Sequence, residues 1–203
     1  MSTIIKNDNH DYNLNTATPT ESFESGTYVR TEGPRNKNLQ FVDKLDDYKV
    51  HHDDVDIRGF SVKLPTGETV GEVEGLLADV GAKLVRYVEV EVDDDVIERH
   101  TSGYFDADDK HFLLPVGLID INAGTRSVTL YGIGMNHLID YPRFNRNNGY
   151  TTGYEVDTNE YLADFHEYGS TFDRNKFGRA HYTQRDTFDD TFYSSKFYTG
   201  RRL

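Results

Sequence analysis

The chain contains no cysteine among its 203 residues. That absence removes disulfides, thiolate metal centres and cysteine nucleophiles together, and it fits the reducing interior of a cytoplasmic protein. Apolar residues are scarce as well, at 36% with a mean hydropathy of -0.70. Chains folded throughout usually carry ~45–50%, so the deficit predicts a compact core with poorly packing extensions. Long apolar runs are missing. The most apolar stretch, Phe112-Leu113-Leu114-Pro115-Val116-Gly117-Leu118-Ile119, is far shorter than the ~20 residues of a bilayer span. The opening residues Met1 to Asp8 lack the basic and apolar regions of a secretory signal. A cytoplasmic protein with no membrane span is expected.

Positive charge is also in deficit: 22 Lys and Arg stand against 35 Asp and Glu, for a net charge of -13. Such a balance repels phosphate backbones and anionic membranes unless a basic patch offsets it, and none appears, so no direct nucleic-acid binding is expected. The excess is localised. Asp46 to Tyr141 holds 8 basic and 20 acidic residues, whereas Pro142 to Leu203 holds 9 of each. Catalytic signatures are missing: there is no Gly-rich phosphate loop, Ser-centred elbow, His-Glu-x-x-His helix or kinase-like set. Gly59, Gly67, Gly71 and Gly75 are spaced for turns and bends rather than for a pyrophosphate at a helix start. The expectation is a non-enzyme without a cofactor.

What is present divides the chain in three. Residues 1–53 are rich in Asn, Thr, Ser, Asp and Glu, bury too little apolar area to offset ordering, and read as a flexible polar leader, with Leu39-Gln40-Phe41-Val42 as a segment able to dock on the core. Residues 54–144 carry the strand signals. Ser61-Val62-Lys63-Leu64 alternates, Pro65-Thr66-Gly67-Glu68 is a hairpin turn, and Val70 to Asp79 continues as a strand whose glycines suit a bulge or bend. Leu84 to Val92 alternates most clearly, with Val88, Val90 and Val92 predicted on a buried face and Glu89 and Glu91 on a wet one. A polar excursion to Lys110 precedes the strand His111 to Val116, whose Pro115 fits a strand end or edge. Leu118 to Ile121 and Ser127 to Tyr131 follow. Five to six short strands with tight turns indicate a small all-β barrel or sandwich, expected here as antiparallel.

The order Asp56-Ile57-Arg58-Gly59-Phe60-Ser61-Val62, Gly67, Val70-Gly71-Glu72-Val73, Leu76 to Asp79, Val85-Arg86-Tyr87-Val88-Glu89-Val90, Leu113-Leu114-Pro115-Val116 and Val128-Thr129-Leu130 resembles the PRC-barrel pattern. Within it, Gly59, Gly67, Gly71, Arg86, Tyr87 and Pro115 are the structural signature. That family includes the cytoplasmic domain of the photosynthetic reaction centre H subunit and the C-terminal domain of the ribosome maturation factor RimM, where the barrel docks and regulates. The resemblance implies a bacterial, cytoplasmic adaptor that contacts a protein partner or itself, and it covers under half the chain. It extends neither to the H subunit's membrane anchor nor to RimM's N-terminal barrel.

Residues 145–203 are charge-balanced and rich in Tyr and Phe. A short helix is expected over 158–168: Asp157-Thr158-Asn159-Glu160 is a capping-box-like start, Tyr161, Phe165 and Tyr168 share a face, and Gly169 stops it. Beyond it, Phe172, Phe177, Tyr182, Phe188, Phe192 and Phe197 recur every four to six residues, which matches neither helix nor strand and predicts extended or disordered chain. Two readings of the tail stand open. Its rings, interleaved with arginines, can make weak multivalent contacts, or some of them, such as Phe144 and Tyr161 to Tyr168, can fold back on the barrel; Tyr161, Phe165, Tyr168 and Phe172 are the tail contact residues.

Metal chemistry has two candidate clusters. His51-His52 beside Asp53 and Asp54 offers imidazole and carboxylate ligands, but neighbours on an extended strand face opposite ways. Asp94, Asp106 and Asp108 offer hard oxygens for calcium without EF-hand spacing. A solvated linker and a solvated acidic loop are the simpler readings. A divalent-cation-responsive module is therefore the alternative to the adaptor, with a stress role as its setting, and a RimM-like contact with basic ribosomal proteins is a second.

Overall fold

In the computed structural model, residues 34–45, 54–100, 110–144, 150–179 and 186–199 are described. Their strands are β1 (Leu39–Phe41), β2 (Ser61–Lys63), β3 (Thr69–Asp79), β4 (Leu84–Val92), β5 (His111–Pro115), β6 (Ile119–Asn122) and β7 (Ser127–Leu130). The β2–β3 hairpin closes at Gly67, whose φ of 90° suits glycine; the Leu64 amide donates to the Glu68 carbonyl at 2.8 Å and the Gly67 amide to the Leu64 carbonyl at 2.9 Å. The β3–β4 turn is held by Asp79, whose Oδ1 accepts from the Gly81 and Ala82 amides, each at 3.0 Å.

The sheet runs β5-β4-β3-β2-β7-β6, with β1 also on β3. One edge of β3 pairs with β4; the other is shared by β2, along Thr69 to Glu72, and β1, along Leu77 to Asp79. Pairing slips twice on the β3–β4 ladder. Glu74 is the extra residue between Val73 and Gly75, and Arg86 the extra residue between Val85 and Tyr87. Each bulge bends its strand and adds twist, and the sheet curls into a half-barrel.

Three expectations need correction. The sheet is mixed rather than purely antiparallel, because β2 and β7 run parallel, Ser61 opposite Ser127 and Lys63 opposite Thr129. Four strands intervene between them, ample chain for the crossover a parallel pair requires, and side-chain alternation carries no information on strand direction. The strands are not all short, since β3 has 11 residues and β4 has 9. The Glu89 and Glu91 face of β4 is not uniformly wet: Glu89 is 0% exposed, and its Oε1 lies 3.5 Å from His111 Nδ1.

Five helices accompany the sheet among the described residues: α1 (Asp94–His100), α2 (Met135–Ile139), α3 (Thr152–Phe165), α4 (Arg174–Phe177) and α5 (Lys196–Thr199). Part of the expected acidic loop is therefore α1. Asp94 and Asp95 occupy its positive N-terminal turn, and Val96 and Ile97 are buried beneath it. Helix α3 begins six residues before the expected start at 158. Thr151 is the cap, its hydroxyl accepting from the Tyr154 amide at 3.1 Å, so Asp157, Thr158 and Asn159 lie inside the helix and are buried. The helix ends at Phe165 rather than near Gly169 because His166 takes an extended ψ of 143°. No helix among the described residues is long and apolar enough to cross a membrane.

The tail is part of the core rather than extended or disordered chain over its described residues. Phe172, Phe177, Phe188, Phe192, Tyr193, Phe197 and Tyr198 are each at most 6% exposed. Phe188 and Phe192 stack at 4.0 Å between centroids, and Phe177 meets Phe192 edge-on at 5.3 Å. Their spacing follows no single period because they sit on short helices and 3-10 turns, each presenting a ring or two to the same cluster. Burying a ring of this kind contributes roughly 1.5–3 kcal/mol, so the tail is integral to stability. The leader segment 34–45 is likewise packed: Leu39 is fully buried, and the Thr152 amide donates to the Pro34 carbonyl at 3.1 Å.

Gly71 marks the tightest approach within the sheet. Its φ is 157°, and a Cβ there would lie 2.0 Å from the Glu91 carbonyl oxygen, a backbone atom that cannot step aside. Gly71→Ala is expected to cost about 2–4 kcal/mol in urea unfolding, well beyond the change ordinary for a glycine in a strand.

Candidate functional site

The bulge on β4 delivers two consecutive side chains, Arg86 and Tyr87, to the tail. Tyr87 meets Glu155, which α3 carries in its first turn. Glu155 is 0% exposed, and the partners of its carboxylate come from three parts of the chain. Asn36 Nδ2 of the leader donates to Oε2 at 2.8 Å; the Tyr87 hydroxyl of β4 and the Tyr193 hydroxyl of the tail donate to Oε1 at 3.1 and 2.7 Å. Behind Tyr87 stands the Tyr198 hydroxyl at 2.6 Å, and behind that Asn159 Nδ2, also at 2.6 Å.

With the Glu155 carboxyl charged, a proton order for this chain follows. Asn159 Nδ2 also donates to the Glu155 carbonyl at 2.8 Å, so its amide nitrogen faces Tyr198. Tyr198 accepts from Asn159 and gives its one proton to Tyr87, and Tyr87 gives its own to Glu155. On the other side, Asn36 Oδ1 accepts from the Asn38 amide at 3.1 Å, which turns its nitrogen toward the carboxylate. Both Glu155 oxygens are thereby set as acceptors. Burial works against that charge and is the larger effect, lifting the carboxyl to about 7, with Asp79 adding to the rise while the Asn36, Tyr193 and Tyr87 hydrogen bonds oppose it. Burial pushes all three phenols well above 10, so they remain donors.

Arg86 closes the seam from outside the network. Its guanidinium lies 4.3 Å from the centroid of the Tyr193 ring, and its Nη2 is 3.3 Å from Asp79 and 3.2 Å from Asp190. A second joint lies at the other end of α3. His166 Nδ1 accepts from the Tyr168 amide at 3.1 Å while Nε2 lies 3.0 Å from the Tyr131 carbonyl, so Nε2 carries the proton. Burial lowers the His166 pKa, with His137 adding to the effect. Gly132 admits the ring, since a Cβ there would be 2.4 Å from Nε2.

Tyrosines also cover the β5 edge of the half-barrel. The Leu113 amide donates to the Tyr154 hydroxyl at 3.0 Å, the Leu113 carbonyl accepts from Tyr141 at 3.2 Å, and the His111 carbonyl accepts from the Phe144 amide at 2.7 Å. These bonds replace the strand that an open edge would otherwise recruit.

The residues singled out from the sequence are scattered. Gly59 and Gly67 make turns with positive φ, Gly71 sits under β4, and Pro115 ends the edge strand β5 opposite Tyr87. Of these, Tyr87 enters the network and Arg86 flanks it. Of the tail residues, Tyr161 donates to the His137 carbonyl at 2.8 Å, Phe165 stacks on His137 at 3.8 Å, Tyr168 packs on Tyr131 at 5.6 Å, and Phe172 joins the phenylalanine cluster. His51, His52, Asp106 and Asp108 lie outside the described residues. Asp94 is exposed and held 3.4 Å from Lys110, and no group of three potential metal ligands occurs among the described residues. Sequence reading did not single out Glu155, Asn36, Tyr193, Asn159 and His166 as members of these two joints. Only the Thr-x-x-x-Glu start of α3 signals Glu155, because its partners are remote in sequence.

The outer face of β3, β4 and α1 has the opposite character. Glu72 and Glu74 are exposed, Glu91 stands directly opposite Glu72, and Asp93, Asp94 and Asp95 continue the surface. Lys110 meets Glu91 at 2.7 Å, and Arg99 meets Asp95 at 3.2 Å and Glu68 at 3.5 Å, so the cations present offset only part of the charge. Partial burial, then Asp95, Asp94 and Glu91, raise the Asp93 pKa. Comparison with protein-family models and with curated proteins finds no match.

Removing the Tyr87 hydroxyl takes a donor from Glu155 and the acceptor from Tyr198. Tyr87→Phe is expected to lower stability by about 1–3 kcal/mol. The loss should be larger at pH 8 than at pH 5, since the lost bond favours the charged form of Glu155; urea titrations at the two pH values check this. NMR titration of His166 should give a midpoint below the ordinary 6.5, so this joint loses stability as pH falls through 6.5 toward that midpoint.

Proposed function

We propose that this chain is a non-catalytic adaptor of PRC-barrel type that binds a basic protein segment through the acidic face of β3, β4 and α1. The placement of charge carries the reading. Glu155, whose carboxyl pKa burial raises, is sealed at 0% exposure and spent on joining segments, while Glu72, Glu74, Asp93, Asp94 and Asp95 are exposed with half-buried Glu91 between them. General acid–base chemistry needs a group within reach of the reacting atoms, and a carboxyl at 0% exposure does not offer that. An outward field of one sign steers oppositely charged partners and suppresses others, which is the work of an adaptor. The ordered motif set from Gly59 to Pro115 and the curled sheet support the PRC-barrel assignment, and partner binding follows from the family's docking role.

Exposed Glu72 and Glu74 permit a clean test, because reversing them touches no buried group. Affinity capture with full-length wild type should recover Lys- and Arg-rich proteins whose yield falls at least tenfold with Glu72→Lys/Glu74→Lys, as quantified by mass spectrometry. An identical partner set for the two proteins, or none for either, would sink the proposal. Size-exclusion chromatography of the same samples separates partner binding from self-association.

A further inference from the structure

Strand register sets one histidine into the acidic face. His111 on β5 stands opposite Glu91 on β4, and Glu91 stands opposite Glu72 on β3, so the three side chains form a single row across adjacent strands. Residues paired in this way share one side of a sheet, with Cβ atoms roughly 5 Å apart. The row also marks where the outer face passes from sealed to open. Glu89, two residues before Glu91 on the same strand, is 0% exposed, whereas Glu91 is half-buried and Glu72 exposed. His111 sits on that boundary: its Nδ1 is buried 3.5 Å from Glu89 Oε1, while its side chain as a whole is 18% exposed. The Phe144 amide pins its backbone, donating to the His111 carbonyl at 2.7 Å. The imidazole is thus held where a change in its charge is felt by Glu91.

We propose that His111 regulates the acidic face by its proton: the neutral ring leaves the face open to a basic segment, and the imidazolium weakens that docking. The inference rests on the adaptor reading. Its sign comes from Coulomb's law, because a positive charge in the row cancels part of the field of Glu91 and repels a Lys or Arg seated between Glu91 and Glu72. Proton and partner therefore oppose each other, and by linkage each weakens the other to the same extent. Among the described residues, the charged and titratable groups around the imidazole come from every element packed there. Glu89 and Glu91 lie on β4, Glu72 beyond them on β3, Lys110 on the approach to β5, Asp94 on α1, and Tyr154 and Arg143 on the packed side. The Lys110 ammonium holds Glu91 at 2.7 Å, a hydrogen bond that raises its pKa, so its charge is a constant offset. Partial burial raises the Asp93 pKa, and protonation of Asp93 would act in the same sense as that of His111. An imidazole changes charge between about pH 5 and 8, where exposed carboxylates and amines ordinarily hold theirs. One unit charge at this separation, in a solvated and screened setting, changes affinity by about threefold.

Fluorescence anisotropy of an N-terminally labelled octalysine peptide with the full chain, at fixed ionic strength, reads the effect. Lysine amines titrate at roughly 10.4, so the charge of the probe is constant across the window. The dissociation constant is expected to be about threefold larger at pH 6 than at pH 8. His111→Gln should remove that difference, whereas His100→Gln, at the exposed end of α1, and Asp93→Asn should retain it. Equal binding at both pH values would overturn the inference and leave the adaptor reading intact, as would a difference that persists in His111→Gln or is lost in His100→Gln or Asp93→Asn. No binding at either pH would overturn the adaptor reading and the inference with it. Should His111→Gln fail to fold, the wild-type ring decides by NMR. Its titration midpoint should move to lower pH when octalysine is bound, and an unmoved midpoint overturns the proposal.

Discussion

A sealed carboxyl in the first turn of α3 dictates how the rest of this molecule is put together. Removing a carboxyl's charged form from water costs several kcal/mol unless donors replace the lost hydration. At Glu155 the donors are Asn36, Tyr87 and Tyr193, with Tyr198 and Asn159 behind them, drawn from leader, sheet, helix and tail. Each segment's position is thus a condition on the others. Phenylalanine clusters such as Phe172, Phe177, Phe188 and Phe192 add apolar burial but tolerate sliding, since apolar contact is not directional. The hydrogen-bond chain is directional, and it selects one docking of the tail from the many that would bury the same rings.

That requirement explains features of the sheet that look like irregularities. A regular β4 would send Arg86 and Tyr87 to opposite faces; the bulge at Arg86 lets both reach the tail, one to stack on Tyr193 and the other to donate to Glu155. The half-barrel does not close by strand pairing on the β5 side, and Tyr141, Tyr154 and Phe144 saturate the Leu113 and His111 backbone there. Tyrosine suits this position because one end of the ring is apolar and the other hydrogen-bonds. Aromatic residues from Tyr141 onward therefore complete the edge of a sheet too small to enclose its own core.

Strand positions were legible because they rest on local rules: alternation over Leu84 to Val92, a Pro-Thr-Gly turn after Leu64, a proline closing β5. What was not legible depends on remote partners. Alternation cannot distinguish the parallel β2–β7 pair from an antiparallel one, and a glutamate in a strand or helix reads as solvent-facing, which failed at Glu89 and at Glu155. The start of α3 was misplaced for the same reason: Asp157, Thr158 and Asn159 look like an exposed cap, whereas the helix buries them, with Asp157 meeting Arg179 and Asn159 meeting Tyr198 of the tail. Ring spacing of four to six residues predicted extended chain because short 3-10 and α turns restart the phase at each break.

Helix α3 carries opposed proton linkages at its two ends. At its N-terminal turn the folded state holds a proton on Glu155 more tightly than the unfolded chain does, so acidification from pH 7 toward 4.5 strengthens that joint. At its C-terminal cap burial makes the folded state resist protonation of His166, whose Nδ1 also accepts from the Tyr168 amide, and acidification below 6.5 weakens that joint. The two windows overlap. A global measurement of stability against pH then sums terms of opposite sign and can look flat while the ends of one helix respond in opposite directions. Proton uptake in this fold is consequently a local variable, favoured at the Glu155 end of α3 and opposed at the His166 end.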